Sequence, residues 1–139
     1  MRIGIGADHR GYELKQYLIK TLDTIKWFDA GADSDERTDY PLYVPPVIDA
    51  LKKGSIDYGI LICGSGVGMS IAANRYKGVY AALVWNEKVA VQSKTGDNSN
   101  ILVLPSDYIT QDQARDMVLA WLKAKFMGGR YQDRLMLLE

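Results

Sequence analysis

The stretch Ile56-Asp57-Tyr58-Gly59-Ile60-Leu61-Ile62-Cys63 is almost continuously apolar and runs directly into Gly64-Ser65-Gly66-Val67-Gly68. It lacks the polar alternation of a strand with one wet face, and it is far shorter than the roughly 18 residues needed to span a bilayer. It fits a strand buried on both sides in the middle of a parallel sheet, ending in a tight glycine-rich turn. Parallel strands need long crossovers, so helices must lie on either side of it.

The rest of the chain supplies them. Residues 2–7 (Arg-Ile-Gly-Ile-Gly-Ala) read as a short strand that stops at Asp8. Over 11–24, Leu14, Tyr17, Leu18, Ile19 and Leu22 recur at helical spacing, with Lys15 and Lys20 expected on the solvent side. Ile25–Phe28 is a second short apolar run. It leads into an acidic loop over 29–39, where Asp29, Asp33, Asp35, Glu36 and Asp39 face only Arg37. Pro45 and Pro46 suit the first turn of a helix over about 43–53, which Gly54 would stop.

Beyond the glycine turn the pattern predicts a helix at 69–74, a strand at 79–84, a helix at 87–94, a strand at 100–104 and a helix at 111–126. Strand and helix alternate five times in one domain over residues 1–139, with 127–139 as a tail. The fold class is therefore α/β, a three-layer, doubly wound, Rossmann-like sheet of five parallel strands with flanking helices. In such sheets ligands bind beyond the carboxyl ends of the strands, near the switch point between the first and third. That brings Asp8-His9 beside Cys63–Gly68.

Composition narrows the chemistry. The 17 basic and 17 acidic side chains cancel, so no global positive field is present to hold a nucleic-acid backbone, and an anion must be bound by local geometry. A single cysteine, Cys63, allows neither an internal disulfide nor a Cys-rich zinc site, and it suits a reducing compartment. With no secretory h-region at the start and no apolar span, the expected location is the cytoplasm, away from membranes.

Gly64, Ser65, Gly66, Val67 and Gly68 would turn several backbone N–H groups and a helix start toward whatever lies in the loop, an arrangement that stabilises an anion; the same residues also fit a plain tight turn. No Gly-Lys-Ser/Thr follows, and Met69 occupies the third position of a dinucleotide fingerprint, so neither known nucleotide-binding route applies. Cys63 immediately precedes those amides. A helix start favours a thiolate, which acts as base or nucleophile, although a free cysteine is equally at home as an inert core thiol.

Asp8 and the only histidine, His9, stand beyond the first strand. Asp8 would orient the imidazole, bind a sugar hydroxyl or cap a helix, and His9 would contact a phosphate or ring oxygen or lie on the surface. Arg130 and Arg134 would share one face of a helical tail and could close on one phosphate, or be simply solvated. Cys63 with His9 also leaves a cysteine hydrolase open, without the Gly-x-Ser-x-Gly elbow of the serine enzymes.

Four stretches carry a more specific signal: Ile5-Gly6-Ala7-Asp8-His9-Arg10-Gly11, Arg37-Thr38-Asp39-Tyr40-Pro41, the run Gly59–Asn74 through the glycine turn, and Gly128-Gly129-Arg130. Together they resemble the family of type B ribose-5-phosphate isomerases and galactose-6-phosphate isomerase subunits. The resemblance implies aldose–ketose conversion of a phosphorylated sugar, as in the pentose phosphate pathway, with no metal or organic cofactor. It also implies a homodimer, or a tetramer built from one, with sites between subunits. In that frame Cys63 is the base, and the Gly64–Gly68 amides hold the enediolate oxygen. Asp8, His9 and Tyr40 position the sugar, and Arg130 and Arg134 take the phosphate.

Two departures stand out. The His-Asn pair that many ribose-type members carry before the fifth strand falls on Gly96 and Asp97. The ring-opening role is then vacant, or passes to His9, Tyr40 or Asp97. A substrate-contacting arginine falls on Asp107, whose charge would repel phosphate unless its loop is arranged differently. Ribose 5-phosphate is the leading substrate. Another phosphorylated aldose such as galactose 6-phosphate is the alternative, as is a sugar-phosphate binding protein without turnover.

Overall fold

The computed structural model describes residues 1–139. Five strands, β1 (Arg2–Ala7), β2 (Lys26–Asp29), β3 (Tyr58–Cys63), β4 (Ala81–Leu83) and β5 (Ile101–Pro105), form one parallel sheet in the order β2-β1-β3-β5-β4. Six helices accompany them: α1 (Tyr12–Thr21), α2 (Val44–Lys52), α3 (Val67–Ala73), α4 (Glu87–Thr95), α5 (Gln111–Lys123) and α6 (Arg130–Met136).

The chain steps outward from β1 to β2, hops back over β1 to β3, passes the place of β5 to reach β4, and reverses into β5. Right-handed crossovers then force α1 and α4 onto one face, and α2 and α3 onto the other. Two separate cores result. Ile3, Ile5, Ile60, Ile62, Leu102 and Leu104 pack with Leu14, Leu18, Ala90, Val118 and Trp121. Leu61, Cys63, Ile101 and Val103 pack with Val44, Val47, Ile48, Met69 and Ala73. The period-2 alternation of β3 and β5 feeds both, which is why β3 shows no polar face. It also sends Cys63 to the α2/α3 side.

On that side the interior positions of β1 are both glycine, Gly4 and Gly6. A Cβ on Gly6 would come within 2.6 Å of the Tyr43 carbonyl oxygen, so its absence lets the 3-10 turn Tyr40–Tyr43 approach the end of β1. Two helices, α4 and α5, begin at side-chain caps. The Asn86 side chain accepts from Val89 N (2.8 Å), and Thr110 and Gln113 form a reciprocal capping box on α5.

The structure corrects the sequence reading in places. Lys15, expected in solvent, is 1% exposed; its ammonium lies 2.9 Å from both carboxylate oxygens of Asp29 and bonds Gln16. Helical periodicity gives the angle of a side chain, but the end of β2 supplies an acid at that angle, and a paired lysine can be buried. Helix α1 ends at Thr21 rather than 24, and α5 at Lys123 rather than 126. Helix α3 starts at Val67 instead of Met69, because Gly66 at φ +76° turns the chain straight into the helix. No helix is long and apolar enough to cross a membrane.

Candidate active site

The switch point lies where β1 and β3 pair, with Gly6 opposite Leu61 and Ala7 opposite Ile62. One residue further, Asp8 N donates to the Ile62 carbonyl (3.2 Å), which fixes Asp8 beside Cys63 at the carboxyl end of the sheet. A pocket of about 380 Å³ opens there, lined by Asp8, Arg10, Tyr40, Cys63, Gly64, Ser65, Gly68 and Asp107. Six of those eight residues are candidates from the sequence. Arg10 and Asp107 are additions.

Cys63 is 5% exposed and forms part of the floor. Its carbonyl accepts from Ser106 N (3.0 Å) and Ser106 Oγ (3.2 Å), and the Gly64 carbonyl accepts from Asp107 N (3.0 Å), so the β5–α5 loop is stitched to the end of β3. Gly66 caps α3, and Val67, which opens the helix, donates its N–H to Ser65 Oγ (3.2 Å). The N–H groups of Gly68 and Met69 have no acceptor within the helix, whose first internal bond is Ser70 N to Gly66 O (3.0 Å). Asp8 Oδ1 accepts from Arg10 N (3.0 Å) and Gly11 N (3.2 Å). Asp8 therefore closes the turn into α1 and also lines the pocket.

His9 lies outside this pocket. Its Nδ1 is 3.1 Å from the Thr38 carbonyl oxygen and 3.3 Å from Thr38 N, donating to one or accepting from the other according to tautomer. Thr38 Oγ1 also bonds Tyr43 Oη (2.8 Å). The histidine thus ties the acidic loop to the end of β1, next to Tyr40.

The remaining candidates gather elsewhere. The tail is helical, as α6, and a second cavity of about 240 Å³ holds Thr95, Gly96, Asp97, Met127, Tyr131 and Arg134. Arg130 Nη2 donates to Tyr131 Oη (3.3 Å), and the guanidinium carbons of Arg130 and Arg134 each lie 5.2 Å from the Tyr131 ring centre. Arg130, with a smaller effect from Arg134, holds the Tyr131 phenol below its ordinary range. The Tyr131 ring comes within 3.7 Å of where a side chain on Gly96 would begin. Within one chain this cavity shares no lining residue with the Cys63 pocket. The largest cavity, about 490 Å³, lies at the α3–β4 connection and the C-terminus and contains none of the candidates. No group of three or more His, Cys, Asp or Glu side chains converges as a metal site would require.

Asp107 is the residue whose place the sequence could not supply. Its carboxylate accepts from Arg10 Nη2, so the acid at the pocket mouth is paired. The pairing joins residues 97 positions apart, and the only sequence sign of it was an acid where the resemblance expects a base.

A family model described as Ribose/Galactose Isomerase matches residues 3–138. The chain belongs to the ribose/galactose isomerase family. It is 40% identical over 136 residues to the ribose-5-phosphate isomerase B of Escherichia coli (strain K12), covering 96% of this chain and 91% of that one. A crystal structure of a ribose 5-phosphate isomerase from Thermotoga maritima superposes with a TM-score of 0.96 at 40% identity, covering 99% of this chain and 96% of that one. The ribose-5-phosphate isomerase B of Mycoplasma genitalium, solved with bound ribulose-5-phosphate, gives a TM-score of 0.93 at 42% identity, covering 99% of this chain and 93% of that one. The isomerase-family resemblance carried by the four stretches is thus matched along nearly the whole chain, and so is the five-stranded doubly wound fold.

Proposed function

We propose that the chain interconverts ribose 5-phosphate and ribulose 5-phosphate through an enediolate, with Cys63 as the base. The observation that carries this reading is the thiol lining a pocket at the carboxyl end of the sheet, together with the Asp8 carboxylate and the first turn of α3. In the forward direction the Cys63 thiolate takes the proton from C2 of the open-chain aldose, and electron density moves onto the C1 oxygen. The N–H groups at the start of α3 face that oxygen as its charge develops, and one such donor typically contributes about 10²–10³ in rate. The O2 hydroxyl proton then passes to the C1 oxygen, and Cys63 returns the abstracted proton to C1, which leaves the ketose and the thiolate. Asp8 and Tyr40 hold sugar hydroxyls, so the chemistry uses this chain's own groups, without metal or organic cofactor.

His9, Arg130 and Arg134 serve the phosphate, and Asp97 a substrate oxygen. Because the Cys63 pocket and the Arg134 cavity share no residue, the reading includes a homodimer in which the tail of one subunit completes the pocket of the other. Val67 and Ile71, one turn apart on α3 and 50% and 58% exposed, support a partner on that face. The reaction belongs in the cytoplasm, where phosphorylated sugars are made.

The test is ribose 5-phosphate in deuterium oxide. The wild type should form ribulose 5-phosphate and exchange the C2 proton. Cys63→Ala should lose both by a factor of about 10² or more, the usual contribution of a positioned base. Full activity in Cys63→Ala would remove the cysteine from the mechanism. Tight binding without turnover by the wild type would leave a sugar-phosphate binding protein.

A further inference from the structure

We propose that Tyr131 is a catalytic residue for the step that precedes proton transfer at carbon: its phenol protonates the ring oxygen O4 of furanose ribose 5-phosphate and so opens the sugar. This deepens the isomerase reading and rests on it, including the tail that one subunit lends to the pocket of the other.

The chemistry demands such a group. Ribose 5-phosphate in water is predominantly a five-membered hemiacetal, and Cys63 can take the C2 proton only once C1 is an aldehyde. Opening requires a proton donor at O4. That oxygen is four bonds from phosphorus, through C4, C5 and the ester oxygen, so the donor belongs beside the groups that grip the phosphate.

Tyr131 stands there. The guanidinium carbons of Arg130 and Arg134 each lie 5.2 Å from the centre of its ring. Arg130 Nη2 donates to the phenol oxygen (3.3 Å), which leaves the phenol's own proton for another acceptor. Arg130, and Arg134 after it, hold the phenol below its ordinary range, which makes it a stronger acid. Tyr131 also lines the cavity of about 240 Å³ that contains Asp97 and Arg134. Asp97 shares this cavity, but an ionised carboxylate has no proton to give.

The fold holds the ring in place. A Cβ on Gly96 would lie 3.7 Å from Tyr131 Cδ1 and Cε1, so a longer side chain at that position would meet the ring, and its absence leaves the space to Tyr131. Before the tyrosine, Met127 N donates to the Thr95 carbonyl (3.0 Å); after it, Leu135 is buried. The tail is thus fastened to the body on both sides of Tyr131.

The step is a proton shuttle. The C1–O4 bond breaks with its electron pair going to O4, which takes the phenol proton. The O1 hydroxyl gives up its proton as the C1 carbonyl forms, and that proton returns through water to the phenolate.

The experiment uses Tyr131→Phe, which keeps a ring against Gly96 and removes only the hydroxyl; circular dichroism checks the fold. Ribulose 5-phosphate is the control. With its C5 oxygen esterified it cannot close a five-membered ring, so exchange of its C1 proton in deuterium oxide, followed by NMR, reads phosphate binding and Cys63 chemistry without ring opening. Turnover of ribose 5-phosphate reads ring opening as well. A positioned acid contributes about 10²–10⁴ in rate, and spontaneous opening limits the loss, so kcat/KM for ribose 5-phosphate should fall at least about tenfold in Tyr131→Phe. Exchange of ribulose 5-phosphate should stay within about twofold of wild type, since the proton transfers at carbon do not use this acid. An unchanged forward rate overturns the proposal and passes ring opening to another side chain. Equal losses in both assays by the folded variant also overturn it, because Tyr131 would then only support the phosphate grip. If the wild type neither turns over ribose 5-phosphate nor exchanges ribulose 5-phosphate, the isomerase reading itself falls. A wild type active in both assays keeps that reading, whatever the variant does.

Discussion

Gly68 has no side chain because the Tyr40 ring lies where one would be: a Cβ there would sit 2.6 Å from Tyr40 Cζ and 2.8 Å from both Cε atoms. The first turn of α3 and the aromatic wall of the pocket are therefore shaped against each other. Because a half-buried ring can swing away, Gly68→Ala should cost less stability than the roughly 1–3 kcal/mol of an overpacked core. It should instead move Tyr40 off the sugar and raise KM for ribose 5-phosphate by about tenfold. Steady-state kinetics beside a thermal melt separates the two effects. A KM unchanged in a folded variant would show that Tyr40 does not touch the substrate. At this scale Cys63 and Asp8 were legible, since each directly follows or ends a recognisable strand. Arg10 with Asp107 was not, because ion pairing between two loops leaves no periodic trace in either.

Among the elements, β1 and β3 start together as well as end together. Asp57 accepts from Arg2 N (2.9 Å) and Arg2 Nη2 (3.1 Å), and Asp57 N returns a bond to the Arg2 carbonyl (2.7 Å). The Arg2 N–H first, and its guanidinium next, hold the Asp57 carboxyl below its ordinary value of 3.8. A folded pKa below the unfolded one stabilises the fold fully above the unfolded value, and that contribution is lost as pH falls through the folded value. Asp57→Asn should therefore lower the urea midpoint at pH 7. The difference from wild type should shrink as pH falls below 3.8, toward and through the lowered folded value. A constant difference across that range would mean that the carboxylate charge plays no part. The strands were easy to place because short apolar, β-branched runs bounded by turn residues mark them. The burial of Lys15 was not, since it depends on Asp29 arriving at the end of a different element.

For the whole molecule, the question is which face meets a second copy. The proposed dimer predicts a solution mass of twice 15.5 kDa, or a higher multiple if dimers pair, measured by sedimentation. Ile71→Asp places a charge on the exposed face of α3 and should shift the protein to monomer while lowering activity at least tenfold, since each site would lose its donated tail. A monomeric wild type with full activity would confine the whole site to one chain. By itself the sequence determined the α/β class, the place of β3 at the centre, and the switch point that brings Asp8 to Cys63. These follow from local periodicity, short connections and the handedness of crossovers. Only the tertiary structure decided that β5 lies between β3 and β4, that His9 binds the acidic loop instead of lining the pocket, and that Asp107 is neutralised by Arg10. Each of those depends on which surfaces meet after the chain has folded, and contacts between residues far apart in sequence are set by packing and charge in three dimensions.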